Sequence, residues 1–97
     1  MTKLEEQAVN LVRELLPNFK KLEFRATIGD TSRSIEFFVW LDDERQQCYE
    51  LADNGIIDEE KMEKLFDDYA KFVRGNSEYK AGKVNKVQFD FDPTKDV

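Results

Sequence analysis

The chain has 97 residues, with 15 Lys and Arg against 21 Asp and Glu, so its net charge is -6. The length suits a single domain, and the acidic balance argues against nucleic acid as a direct ligand, since that binding needs a basic surface that neutralises phosphates. Because the chain has no His, the commonest general base and zinc ligand is missing.

The composition predicts a folded, soluble protein of the cytoplasm. Hydrophobic residues make up 40% of the chain and include 8 Phe, which is enough apolar material for one core. Cys48 is the only cysteine, so no intrachain disulfide can form, as suits a reducing compartment. No signal peptide is visible, and no apolar run approaches the ~20 residues that span a bilayer. We expect no membrane association.

The first predicted element is a helix over residues 2–16. Thr2 and Glu5 form a capping box, in which each side chain accepts a hydrogen bond from the other's backbone N–H. Pro17 disfavours a helical conformation at Leu16, so the helix should end there. The apolar residues at helical spacing form one stripe: Leu4, Ala8, Leu11, Val12 and Leu15.

Three strands are expected next, joined by short links that imply an antiparallel meander. Strict alternation predicts a strand over 21–28, and the polar loop 29–33 leads into a second strand over 34–41. Asp42 to Arg45 should make a turn before a shorter strand over 47–51.

A second helix is predicted over 58–74, with Asp58 as N-cap and Gly75 as C-terminal stop. On its exposed side, Glu60 should pair with Lys64, and Asp67 with Lys71. Val87, Phe89 and Phe91 then alternate with polar residues in a last strand, which Pro93 ends.

The element order is therefore helix, three-strand meander, helix, strand. It predicts an α+β fold with an antiparallel sheet of about four strands and two packed helices. We expect residues 1–92 to form a single domain and residues 93–97 to be a frayed C-terminal tail.

Two aromatic residues of the second strand, Phe38 and Trp40, point away from its core-facing row. If the two helices pack on opposite faces of the sheet, one helix covers this pair. If both helices share one face, the pair lies open beside Glu36 and, across the sheet, Asp90. Aromatic side chains within a charged rim are typical of interface hot spots.

Several acidic residues lack nearby cations in the sequence. Asp42, Asp43 and Glu44 crowd one turn beside Arg45, and Asp90 and Asp92 share one face of the last strand. These acids could be ordinary turn and surface chemistry, or a contact surface that attracts a basic partner. Together with the aromatic pair they are the candidate partner-binding residues: Phe38, Trp40, Asp42, Asp43, Glu44, Asp90 and Asp92.

The sequence offers little for catalysis or cofactor binding. Residues 50–61 resemble a calcium loop around Asn54-Gly55, but Ala52 and Lys61 stand where the third and twelfth positions need oxygen ligands. No Gly-rich phosphate loop or Gly-x-Ser-x-Gly is present, and Cys48 has no base to activate it. We therefore expect no metal, no cofactor and no catalytic residue; an enzyme that uses carboxylates is the least favoured class.

Three stretches are similar to the YezG-like immunity proteins: the opening amphipathic helix, the Phe-rich strand 35–40 and the acidic helix around 65–69. The closing stretch 82–92 looks like that family's terminal strand. The short segment 76–83 departs from the family, where a further strand is expected before the last one.

The resemblance implies an antitoxin that binds a cognate secreted toxin, often a nuclease, and blocks it without chemistry. A nuclease needs a basic cleft to attract phosphates, so an acidic inhibitor can cover it. We expect nanomolar or tighter affinity, about -12 kcal/mol or beyond. The competing hypothesis is a small acidic adaptor or regulatory module for a basic host protein.

Overall fold

A computed structural model describes residues 1–95 and has an α+β fold. Four strands form one antiparallel sheet with the order β3-β2-β1-β4. The elements in chain order are α1 Lys3–Leu15, β1 Lys21–Ile28, β2 Arg33–Trp40, β3 Arg45–Gln47, α2 Cys48–Asp53, α3 Glu59–Arg74 and β4 Asn85–Phe91. The predicted fold class, the meander and the late edge strand are confirmed.

The ends of the two long helices follow the sequence closely. At α1, Glu5 N donates to Thr2 Oγ1 at 3.1 Å and Thr2 N donates to Glu5 Oε1 at 3.0 Å, which completes the predicted capping box. At α3, Lys61 N donates to the Asp58 side chain at 3.2 Å, and Gly75 is the C-cap. Both helices are therefore limited by local chemistry that the sequence carries.

The predicted third strand over 47–51 is wrong. The strand covers only Arg45–Gln47, and Cys48–Asp53 forms α2, a helix that the sequence analysis missed. Cys48 and Leu51, three residues apart, are both fully buried, as one face of a helical turn allows. A segment this short fits both periods, so packing against the core decides between them.

The core lies between the sheet and the two long helices. α1 and α3 contact each other; α1 contacts β4, and α3 contacts β1 and β2, so both helices cover the same face of the sheet. The largest fully buried side chains include Phe24, Phe37 and Phe66, and the rings of Phe37 and Phe66 meet edge to face at 6.2 Å. The opposite face of the sheet has no helix among the described residues.

The segment between α3 and β4 has turns and no strand, which agrees with its short length. It is held to the β1–β2 hairpin through Asp30, which accepts hydrogen bonds from the Tyr79 hydroxyl and, at 2.8 Å, from Gly82 N. Gly82 has a positive φ of 75°, a conformation that favours glycine.

After β4 the chain turns once more: Lys95 N donates to Asp92 O at 3.0 Å. The rest of the predicted C-terminal tail, residues 96–97, lies outside the described residues. Within residues 1–95, every helix is too short or too polar to cross a bilayer.

Candidate partner-binding site

The uncovered face of the sheet carries both aromatic residues singled out from the sequence. Because α1 and α3 share the other face, Phe38 and Trp40 have no helix above them, which is the second of the two arrangements expected. Both side chains are nevertheless only partly exposed. Charged side chains of the neighbouring strands lie over them.

Phe38 is covered by an arginine of the same chain. The Arg45 guanidinium carbon lies 3.7 Å from the centroid of the Phe38 ring, and Arg45 Nη2 donates to Glu23 Oε1 at 2.9 Å. Arg25 reaches the same ring at 5.7 Å and the same carboxylate at 3.7 Å. Glu23 therefore offsets part of the positive charge around Phe38, and the Phe38 ring is largely occupied by internal contacts.

Trp40 lies at the end of the sheet where β2 and β4 finish and β1 begins, since Lys20 N donates to Trp40 O at 2.7 Å. A groove of about 580 Å³ opens beside it. The groove is lined by Phe19, Lys20, Lys21, Trp40, Asp42, Asp43, Asp92, Pro93 and Thr94. Residues from the β2–β3 turn and from the end of β4 thus meet at the indole.

A second depression of about 400 Å³ adjoins this groove and adds Asp90 to the same corner. It shares Lys21, Trp40 and Asp92 with the groove. Glu44 is exposed in the same turn and lines neither depression, and Phe38 lies away from both. The structure therefore brings together five of the seven candidate residues; we call Trp40, Asp42, Asp43, Asp90 and Asp92 the Trp40 corner.

The acidic side chains of the corner differ in their contacts. Within residues 1–95, neither Asp42 nor Asp43 nor Asp90 forms an ion pair. The Thr94 hydroxyl donates to Asp92 Oδ1 at 2.7 Å; this bond, the Thr94 N–H and nearby Lys95 and Lys21 lower the pKa of Asp92. Lys21 Nζ lies 5.8 Å from the Trp40 ring centroid, so a cation already lies near this indole.

Further acids reach this end of the molecule from α3, and the sequence analysis did not include them in the site. Lys61 Nζ donates to Glu14 O at the end of α1 at 3.4 Å, so the start of α3 lies at the end of the sheet where β1 begins. The exposed acids there are Asp58, Glu59 and Glu60. The sequence carries a signal for these acids, because residues 42–60 hold eight Asp and Glu and one Arg.

A positively charged segment lies at the opposite end of the molecule. Residues 71–86 contain five Lys and Arg and one Glu. This segment docks on the β1–β2 hairpin, because Arg74 Nε donates to Gly29 O at 2.9 Å and Tyr79 bonds Asp30. Segment 71–86 is therefore basic and segment 42–60 acidic, and the acidic segment reaches the Trp40 corner.

The thiol is unsuited to nucleophilic chemistry. Cys48 is fully buried, and burial raises its pKa to about 11, which keeps it protonated at neutral pH. Within residues 1–95, no three side chains of the Cys, Asp or Glu type are grouped so that they could hold a metal ion.

Comparisons of the chain with protein-family models, with curated proteins and with solved structures find no match.

Proposed function

We propose that this protein is a cytoplasmic immunity protein that binds a cognate basic toxin, of the nuclease class, and blocks it by steric and electrostatic masking. The observation that carries the proposal is the Trp40 corner, where a partly exposed indole adjoins the carboxylates of Asp42, Asp43 and Asp90, which form no ion pair within residues 1–95. The resemblance to the YezG-like immunity proteins, drawn from the sequence, points the same way. In this proposal the protein has no catalytic activity of its own.

The corner supplies the two parts that a tight interface needs. Trp40 provides a large, rigid apolar surface at the centre, as interface hot spots commonly do. Asp42, Asp43 and Asp92 surround it with charge that would meet the Lys and Arg of a phosphate-binding cleft. Because water hydrates these carboxylates in the free protein, the partner's cations must replace that hydration when the surface is buried.

The separation of the acidic segment 42–60 from the basic segment 71–86 supports rapid encounter with such a partner. Long-range attraction orients the acidic end toward a basic cleft and raises the association rate, and added salt weakens it. The acids at the start of α3 add to this field without lining the groove. Rapid capture matters for an antitoxin, because free toxin acts until it is bound.

The test begins with affinity capture from the source cell at moderate salt, followed by coexpression of the captured basic protein with this chain. The proposal predicts that the captured protein arrests growth when expressed alone and that this chain restores growth. A captured basic protein that leaves growth unaffected would instead favour the adaptor hypothesis.

A charge-matched pair of variants tests the site itself. The triple variant Asp42→Asn, Asp43→Asn and Asp92→Asn should bind the captured partner at least tenfold more weakly, with a smaller effect of salt on the association rate. The control removes three exposed acids elsewhere: Glu6→Gln, Asp68→Asn and Glu78→Gln. Equal weakening in both variants would show that net charge acts, and not this corner.

A further inference from the structure

The outer edge of β4 is a long strand edge with free backbone groups. Gly29 N donates to Ser32 O at 2.9 Å, which makes these two residues a hydrogen-bonded pair of the β1–β2 ladder. Hydrogen-bonded pairs alternate with non-bonded pairs in an antiparallel ladder, so the odd-numbered residues of β1 bond β2. The even-numbered residues of β1 then bond the odd-numbered residues of β4. The N–H and C=O groups of Lys86, Gln88 and Asp90 therefore point away from the sheet, and no hydrogen bond within residues 1–95 engages them.

This edge has few of the features that protect a sheet from edge-to-edge pairing, and its charged residues, Lys86 and Asp90, lie on the open face. The strand has seven residues in unbroken register, with no proline and no charged side chain on its core-facing side. The opposite edge is different, because β3 has only three residues and leads directly into α2. The longer edge of the sheet, and the one open to a further strand, is thus β4.

The sequence of β4 is complementary to itself when two copies run antiparallel about Gln88. In that register Gln88 meets Gln88 of the other copy, and Lys86 faces Asp90 in both directions. On the helix-covered side, Val87 meets Phe89. Every outward-pointing N–H and C=O group of Lys86, Gln88 and Asp90 then gains a hydrogen-bond partner, and each of the two charged side chains faces one of opposite charge.

Contacts within one chain leave these two charges poorly satisfied. Asp90 lies directly opposite Glu23 on β1, a like-charge pair across strands. Lys86 lies opposite Thr27 and, within residues 1–95, forms no ion pair. Lys86 and Asp90 are about 13 Å apart along their own strand, so they cannot pair within one chain.

We propose that a second copy of this chain pairs with the outer edge of β4, so that two sheets join into one continuous antiparallel sheet across a two-fold axis at Gln88. An interface formed mainly by one strand edge is at the small end of specific interfaces, so the dimer is weak and in rapid exchange. This inference concerns the protein alone and holds whether or not it binds a toxin.

Sedimentation equilibrium of the purified protein over a range of concentrations tests the proposal. The wild type should show a reversible monomer–dimer equilibrium. Lys86→Asp and Asp90→Lys, each alone, should raise the dimer dissociation constant roughly tenfold, because each places like charges opposite one another at two symmetric positions. The double variant should restore the wild-type dissociation constant, since it exchanges the two charges and keeps opposite charges facing each other.

Two further variants separate the strand edge from the charges. Gln88→Pro removes an N–H that β1 does not use, so the monomer should fold normally while dimerisation is lost. Lys64→Asp makes the same charge change on the exposed side of α3 and should leave the dimer unaffected. A wild type that stays monomeric at every concentration, or a double variant no stronger than the single ones, would overturn the proposal.

Discussion

The guanidinium carbon of Arg45 lies 3.7 Å from the centroid of the Phe38 ring, while Arg45 Nη2 also donates to Glu23 Oε1. An arginine from a three-residue edge strand thereby covers an aromatic side chain that no helix reaches. This contact explains how the open face of the sheet tolerates Phe38, and of the two aromatic residues on that face it leaves Trp40 beside the grooves.

Removing this contact should destabilise the protein. Arg45→Ala loses the cation–π contact and the hydrogen bonds to Glu23, and we expect a loss of about 1 kcal/mol in the free energy of unfolding. Arg45→Lys keeps the charge but not the planar stacking, so it should recover only part of that loss. Urea denaturation measures both; an unchanged midpoint for the alanine variant would contradict this account of the open face.

The two phenylalanines of α3 should differ sharply in their contribution to stability. Phe66 is fully buried against Phe37, so Phe66→Ala should cost about 3–5 kcal/mol. Phe72 is 37% exposed, so Phe72→Ala should cost less than about 1 kcal/mol. The two variants remove the same atoms from one helix and are matched controls. Similar unfolding energies would mean that α3 packs with a different face toward the sheet.

Docking of the segment between α3 and β4 should depend on pH. The Tyr79 hydroxyl and the Gly82 N–H hold the pKa of Asp30 below its ordinary value. A carboxyl with a lowered pKa stabilises the folded state fully above its ordinary pKa of about 4, and the stabilisation is lost as the pH falls through the lower, folded value. Hydrogen exchange at the Gly82 amide should therefore show less protection in acid.

Asp30→Asn supplies the comparison for that measurement. The amide cannot titrate, so protection of Gly82 should be lower at neutral pH and nearly independent of pH in the acid range. Asp68→Asn removes an exposed carboxylate of α3 and should behave as the wild type. A titration that persists in Asp30→Asn would assign the effect to another group.

Cys48 should resist alkylation while the protein is folded. Its thiol is fully buried with a pKa of about 11, so iodoacetamide at pH 8 should react only as fast as the protein opens. In urea above the unfolding midpoint, Cys48 should be alkylated as fast as an exposed cysteine thiol. Rapid labelling of the folded protein would place Cys48 at the surface and contradict the helical assignment of 48–53.

The sequence by itself determined the local structure where one signal dominates. The capping box of Thr2 and Glu5, the N-cap at Asp58 and the alternation over 21–28 depend on neighbours a few residues apart, and each is found as predicted. It also placed the acids of the β2–β3 turn next to the aromatic residues of β2 in the chain.

Only the tertiary structure decided how distant segments combine. Asp67, expected to pair with Lys71, instead bonds Arg33 at 2.7 Å, because β2 brings a guanidinium to α3. Residues 48–51 fit a strand and a helix equally well until Cys48 and Leu51 are buried together. Likewise, Asp92 lies in the same groove as Asp42 and Trp40 only because β4 pairs with β1 in one register. Such long-range contacts depend on the order of the strands and the placement of the helices, which no local sequence pattern encodes.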